Sequence, residues 1–316
     1  MVLINIMNEK LCFKCLNLIG DDNPLGYGVH SACFQDWFGV APQEFGDLNP
    51  RSDTSKIPKI SAARAGWNTS FFVGNYRKYS ALLGEEHVIL KVQQNEAPEL
   101  PDVEYLCNAI ARDVGIPNPD FYLIDFHGIR TFVTKNFIPP GSAAMDLKHI
   151  YHYLPGGEEH FTCEHLLAAI LQETRRYSDL EIFIAVCLYD SLIGNHDRHG
   201  RNLGVLVTPR GTHLAPIYDN NSALGLELQS MLSAQFNPTG KIATRESTEP
   251  GMADYIKEFR RLGYDDAVQR FAHRVSLDRC LNIVDRGFCS AAMKEALKKL
   301  IRKRYEEMVH ELGSRS

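Results

Sequence analysis

The chain has 316 residues, 44% hydrophobic and 23% charged, with a formal net charge of −5. That is enough apolar chain for one large or two ordinary domains, and it excludes wholesale disorder, a collagen-like fibre and a disulfide miniprotein. The mildly acidic balance argues against a general nucleic-acid binder, whose domains are basic, so no direct nucleic-acid contact is expected. No run reaches the ~18 consecutive apolar residues of a membrane-spanning helix. The first ten residues lack the basic start and small-residue cleavage site of a signal peptide. A cytoplasmic protein without membrane contact is expected.

Residues 1–50 read as a short Cys/His-containing N-terminal module, closed by Pro42 and Pro50. Cys12 and Cys15 form a C-x2-C pair, and His30 and Cys33 form an H-x2-C pair. That spacing suits a tetrahedral Zn2+ site. It is also compatible with plain packing, because Phe34, Trp37 and Phe38 are apolar enough to dock a helix without metal. The other cysteines (Cys107, Cys163, Cys187, Cys280 and Cys289) are scattered in apolar helical patterns and read as small buried hydrophobes in a reducing compartment.

Residues 51–70 form a polar stretch leading into a strand. Phe71–Val73 and His87–Val92 read as strands, being short apolar runs bounded by turn residues. Val103, Leu106, Cys107, Ile110 and Val114 follow helical spacing, and Gly115 can end that helix. Phe121–Asp125 and Thr131–Thr134 flank His127 and Gly128 as a hairpin. Residues 51–138 therefore predict a small mixed lobe. After Pro139, Pro140 and Gly141 the character becomes helical through residues 139–316. Helices are expected at 162–174 and 179–194, the latter amphipathic and capped by Ser178 or Asp179. A hairpin joins Leu203–Val207 to His213–Ile217, residues 219–250 resist assignment, and helices return at 252–262, 265–274, 277–285 and 290–312. The expected class is α+β, with a small β-rich N-lobe and a mostly helical C-lobe.

The segment richest in chemistry runs from Asn195 through His196, Asp197, Arg198, His199, Gly200 and Arg201 to Asn202. It follows a strong helix and precedes a hairpin, so it is a loop. Asp197 and Asn202 have the Asp-x4-Asn spacing of a kinase catalytic loop. A carboxylate there can take a proton from a substrate hydroxyl, and an amide oxygen five residues on can reach a hard cation without adding charge. Beyond the hairpin, Asp219 follows Ala215, Pro216, Ile217 and Tyr218, well placed as a second ligand for Mg2+.

These residues resemble the HipA-type serine/threonine kinases, the toxin halves of bacterial toxin–antitoxin operons. That family carries Asn-x-Asp-x-His-x-x-x-Asn followed by a hairpin and Tyr-Asp. The resemblance runs from about residue 51 to 312 and implies a two-lobed fold like a protein kinase, and still more like a phosphoinositide kinase. It implies ATP and Mg2+ as cofactors, Asp197 as catalytic base, and Asn202 and Asp219 as metal ligands, with Arg198 and His199 stabilising the loop or facing phosphate. Lys91, alone in the apolar run Val88–Val92, needs an anionic partner. In the resembled family the equivalent lysine contacts ATP phosphates, and Glu104 is its natural partner. Residues 133–139 occupy the family's adenine-binding junction, which makes Thr134, Asn136 and Phe137 candidates.

Ser52 through Lys59 stand where the family has the phosphate loop Ser-x-x-Gly-x-Gln-x-Lys. Ser52 and Lys59 match, while Ser55 replaces the glycine and Ile57 the glutamine. A glycine permits the tight turns by which amides cradle phosphate, so the loop geometry is expected to differ. In the family this loop is autophosphorylated, which makes Ser52 and Thr54 the candidate sites. The short stretch before it resembles the compact HipT-like variant, in which a separate small protein supplies the N-terminal subdomain. The implied partners are a protein substrate (a translation factor or an aminoacyl-tRNA synthetase), that small protein and a DNA-binding antitoxin. Two other readings compete: a small-molecule or lipid phosphotransferase, and an inactive kinase-like binding module. The intact set of Lys91, Asp197, Asn202 and Asp219 disfavours the last.

Overall fold

The computed structural model describes residues 10–51, 78–138, 145–154, 161–226, 232 and 237–314, and the chain divides into two compact units. The first comprises residues up to Tyr105 together with Asp120–Phe137, and the second comprises Leu106–Pro119 and everything from Ile138 onward. The strand expected at Phe71–Val73 lies outside the described residues, as do Ser52, Thr54 and Lys59.

In the first unit β1 (Gly46–Arg51), β2 (Lys78–Leu83), β3 (Glu86–Val92), β4 (Phe121–Phe126) and β5 (Ile129–Lys135) form an antiparallel sheet in the order β1-β2-β3-β5-β4. Strand β2 was not legible from composition, because Lys78, Tyr79, Ser80, Ala81, Leu82 and Leu83 include no β-branched residue. It forms because its alternating burial and its pairing with β3, from Lys78 opposite Lys91 to Leu83 opposite Glu86, supply what intrinsic propensity does not. The β4–β5 turn is a two-residue loop. His127 and Gly128 both take positive φ, 50° and 77°, as the tight hairpin turn with two left-handed residues requires.

The segment before β1 folds onto the same sheet. Its helix α1 (Ser31–Phe38) lays an aromatic face on β4, with the Phe38 and Trp37 rings 4.3 and 5.5 Å from that of Tyr122. Tyr27 stacks on both Phe34 and Phe126, and its carbonyl accepts the Asp125 N–H at 3.0 Å. Helix α2 (Leu100–Asp113) begins in the first unit and continues into the second.

The second unit holds β6 (Asp146–His149), β7 (Gly204–Thr208) and β8 (Gly211–Leu214), an antiparallel sheet in that order. Around it stand helices α3 (Cys163–Thr174), α4 (Tyr177–Ile193), α5 (Met252–Arg261), α6 (Asp265–Arg274), α7 (Leu277–Asp285) and α8 (Ala291–Gly313). The expected amphipathic character of α4 gives way to something stronger: every residue from Phe183 to Ile193 is buried. Helices α3, α5, α6 and α8 all pack on it, so it has no solvent face over that length. Neither Ser178 nor Asp179 caps it. The helix starts after Arg176, and the buried Asp179 carboxylate instead accepts the Leu214 N–H at 2.9 Å, tying β8 to α4. Strand β8 stops at Leu214 rather than Ile217, since Pro216 has no N–H to continue a ladder. The scattered cysteines Cys107, Cys163, Cys187, Cys280 and Cys289 are all buried and unbridged. Among the described residues no helix is long and apolar enough to cross a membrane.

Candidate active site

In the first unit, β3 buries Val88, Leu90 and Val92 on one face and sets Lys91 on the other. The Lys91 ammonium donates to Glu104 Oε1 and lies 5.5 Å from the centre of the Phe132 ring. The pair is largely withdrawn from water, with side-chain exposures of 14% for Lys91 and 2% for Glu104. A carboxylate so buried holds the ammonium in one place. Farther along the sheet, the Asn136 N–H donates to the His87 carbonyl at 2.8 Å, which carries the β3–β5 pairing one residue past the strand. Asn136 and Phe137 are half-buried, and Thr134 Oγ1 donates to the Asp120 carbonyl at 3.3 Å.

In the second unit, α4 ends at Gly194, whose φ of 70° is left-handed. A Cβ there would come within 2.6 Å of Leu300 Cδ2 and Pro238 Cγ, so the helix can stop here only with glycine. The chain then turns into the Asp197–Asn202 loop. Asn195 bridges it to the helix: its Nδ2 donates to Asp190 Oδ1 and its Oδ1 accepts the Asp197 N–H, both at 2.9 Å. Asn202 Nδ2 donates to the Asp197 carbonyl at 2.9 Å. These two amides fix the backbone of Asp197 from both sides, while its carboxylate stays 67% exposed. His199 Nε2 lies 3.8 Å from that carboxylate, and the His199 side chain is 37% exposed.

Arg198 is buried, and every N–H of its guanidinium is used. Nε and Nη2 grip Asp190 Oδ2 and Oδ1 at 2.8 and 2.9 Å. Nη1 donates to the carbonyls of Asn202 and Tyr218 at 3.0 and 2.9 Å, and Nη2 also reaches Asn220 Oδ1 at 2.7 Å. Burial works against the charge, but the Asp190 carboxylate outweighs it and raises the guanidinium above its ordinary range. Of the two roles expected for Arg198, stabilising the loop or facing phosphate, this geometry selects the first. The guanidinium is spent inside the protein.

The same contact set fixes Asp219. The Tyr218 carbonyl is held by Arg198, the Tyr218 hydroxyl donates to the Arg201 carbonyl at 2.7 Å, and Asn220 Nδ2 donates to Asn108 Oδ1 at 2.9 Å. Burial first, and the neighbouring Asp219 charge second, push the Tyr218 hydroxyl upward, so it stays protonated as that donor. Asp219 itself takes φ of 54°, a left-handed conformation that costs a non-glycine residue about 1–3 kcal/mol and persists where its surroundings demand it. One guanidinium thus ties together the loop that bears Asp197 and Asn202 and the segment that bears Asp219. Asn202, with its Nδ2 committed to the backbone, and Asp219 offer an amide oxygen and a carboxylate, an all-oxygen donor pair suited to Mg2+.

Three residues of this framework went unassigned in the sequence: Asp190, Asn195 and Asn220. Asp190 carried a signal, as the lone charge between Phe183 and Ile193. Such a carboxylate in a helix without a solvent face must have a buried partner.

A family model described as HipA-like C-terminal domain matches residues 58–304. Among solved structures, the Helicobacter pylori proinflammatory kinase CtkA is similar with a TM-score of 0.62 at 18% identity, covering 74% of this chain and 94% of that one. The Shewanella oneidensis toxin–antitoxin protein HipA, solved with HipB and operator DNA, is similar with a TM-score of 0.56 at 15% identity, covering 84% of this chain and 72% of that one. A Haemophilus influenzae protein named "Putative kinase" is 29% identical over 151 residues, which are 42% of this chain and 43% of its own length. The chain thus spans under half the length of that curated relative. The fold is α+β and kinase-like.

Proposed function

Since the chain belongs to the HipA-like C-terminal domain family, we propose that it is an ATP-dependent serine/threonine kinase that acts on a protein. The observation that carries this reading is the Arg198 clamp. Its five hydrogen bonds anchor the Asp197–Asn202 loop to Asp190 on α4 and, through two of them, to Tyr218 and Asn220 on either side of Asp219, and they leave the Asp197 carboxylate in water where a substrate could reach it. A structural loop would have no need of an exposed, backbone-fixed carboxylate at that point.

In this reading Asp197 orients the acceptor hydroxyl and takes its proton as the oxygen bonds to the γ-phosphorus, while the bond to the β-phosphate oxygen breaks and ADP leaves. Lys91, held by Glu104, contacts ATP phosphates, as does Lys59. Asn136 and Phe137 lie along the adenine. Asn202 and Asp219 would hold Mg2+, which when bound neutralises phosphate charge. Ser52 and Thr54 are the sites of autophosphorylation. The target class is a translation factor or an aminoacyl-tRNA synthetase, and the chain serves as the toxin of a toxin–antitoxin system. Its partner is then a DNA-binding antitoxin. The Shewanella oneidensis complex with HipB and operator DNA supports the antitoxin part.

The test is incubation of the purified chain with γ-labelled ATP and Mg2+, alone and with cell lysate. Label is expected on the chain itself and on a small number of lysate proteins, and none with Asp197→Asn. Label recovered only in small molecules or lipid would point to the other phosphotransferase class, and no label anywhere would make the chain a binding module.

A further inference from the structure

The Cys/His segment ahead of the sheet takes no part in the proposed chemistry, yet its four candidate ligands converge. The Sγ atoms of Cys12, Cys15 and Cys33 and the ligand nitrogen of His30 all lie within 4.8 Å of one another. Cys15 Sγ and Cys33 Sγ approach the same atom, His30 Nδ1, at 3.4 and 3.7 Å. A ring nitrogen has one lone pair or one proton, so it cannot serve two thiols as ordinary hydrogen-bond partners. Two sulfurs around one nitrogen are, however, what a shared central ion produces. With Zn–S of about 2.3 Å and Zn–N of about 2.0–2.1 Å, the S···N edge of a tetrahedron is about 3.6 Å, between the two distances observed.

The surroundings prepare the histidine for that role. His30 Nε2 lies 3.0 Å from the Leu18 carbonyl. A carbonyl only accepts, so Nε2 carries a proton, and Nδ1 is the ring nitrogen that faces the thiols and would bind a metal. This is the outer hydrogen bond that orients metal-bound imidazoles. His30 occupies the N-cap position of α1 but does no capping. The Asp22 carboxylate accepts the Ser31 N–H instead, at 3.0 and 3.1 Å, and so leaves the imidazole free. His30 and Cys33, three residues apart, then share one face of the first helical turn. The other pair sits on a small knuckle. The Cys12 N–H donates to the Asn17 carbonyl at 2.8 Å, the Leu16 N–H donates to the Cys12 carbonyl at 3.0 Å, and Leu11 bridges to Leu18. All three cysteines are unbridged.

We propose that Cys12, Cys15, His30 and Cys33 bind one Zn2+ as a closed, structural Cys3His site. Four protein ligands fill the tetrahedron and leave no position for substrate, so the ion is a staple. It joins the knuckle to the start of α1, the helix that lays Phe34, Trp37 and Phe38 on the sheet. That segment contains little regular structure of its own, the situation in which metal binding supplies folding free energy.

The site is tested on the full chain, produced in zinc-supplemented medium and dialysed without chelator. Elemental analysis should find about one zinc per chain. Cys33→Ser and His30→Ala should each lose it, while His30→Cys, which restores a fourth thiolate, should retain it. Asp197→Asn should hold zinc as the parent chain does, so the outcome is independent of the kinase reading. Should the cysteine variants fail to fold, the parent chain still decides. Replacing zinc with Co2+ should give the strong visible absorption of a tetrahedral thiolate site. A chelator that strips the ion should shift the fluorescence of Trp37 to the red in a Trp67→Phe background. Metal-free protein with unchanged Trp37 emission, or an intact mass two hydrogens light from a disulfide among these cysteines, would overturn the proposal.

Discussion

The guanidinium of Arg198 meets the carboxylate of Asp190 through two parallel hydrogen bonds of 2.8 and 2.9 Å, and both side chains are almost wholly buried, at 1% and 3% exposure. Arg198 directly follows the exposed Asp197 in the chain, and its remaining donors reach the Asn202 and Tyr218 carbonyls and the Asn220 amide oxygen. Breaking it by removing one partner leaves a buried charge uncompensated. Arg198→Ala is therefore expected to cost about 3–5 kcal/mol of stability. Arg198→Lys should recover only part of this, since an ammonium cannot reproduce a planar five-donor fork. Thermal unfolding checks both, with Arg210→Ala at an exposed position as control. A midpoint for Arg198→Ala equal to the control's would remove the clamp from the account.

Asp197 has the opposite character: its side chain is exposed, and its backbone is fixed by other residues. Asp197→Asn should leave the unfolding midpoint unchanged while phosphoryl transfer falls ~10²- to 10⁴-fold, with ATP still bound. Asp219→Ala should instead weaken the binding of Mg2+-ATP itself. Isothermal titration separates the two. Undiminished Mg2+-ATP affinity in Asp219→Ala would count against its role as a ligand.

Ser52 and Thr54, proposed as autophosphorylation sites, would each gain about −1.5 to −2 charge at pH 7. Near the phosphates of ATP that charge repels nucleotide, so the modified chain should bind ATP more weakly. Mass spectrometry after incubation with ATP should find phosphate on this loop in the active chain and none in Asp197→Asn. Equal phosphate in both would mean that another kinase adds it. Ser52→Asp should lower activity and Ser52→Ala should not.

Asp102 offers a pH signature. It is buried and shares Arg130 with Asp125, whose Oδ1 lies 3.1 Å from Arg130 Nε. Burial pushes the Asp102 carboxyl from 3.8 up to about 6, although Arg130 pulls the other way. The folded chain then holds this proton more tightly than the unfolded chain does. The stabilisation is fully present below pH 3.8 and is lost as pH rises through about 6. The group contributes at most about 3 kcal/mol across that window. Asp102→Asn should flatten this component of the stability–pH curve in denaturant titrations between pH 4 and 7. A curve of unchanged slope would show that Arg130 keeps the carboxylate ionised throughout.

Local pattern carried a large part of this protein. The spacing of Val103, Leu106, Ile110 and Val114 marked α2, and the helices from α3 to α8 were legible in the same way, because a helix face repeats within a few residues. The turn at His127 and Gly128 and the grouping of the proposed site residues Asp197, Asn202 and Asp219 were also readable, the latter because they stand on one loop and on the segment that follows the next hairpin. The tertiary structure decided whatever depends on residues meeting across the chain. It paired β2 with β3 and closed the sheet order. It buried α4 on all sides and turned Arg198 inward to Asp190 and Asn220. It also brought Cys12 and Cys15 to within reach of His30 and Cys33. For α4 and for Arg198 the deciding energy is burial or a buried hydrogen bond between separate segments. Neither leaves a periodic trace in the sequence, since the partner of a buried charge can sit eight residues away, as Asp190 does from Arg198, or 22 away, as Asn220 does.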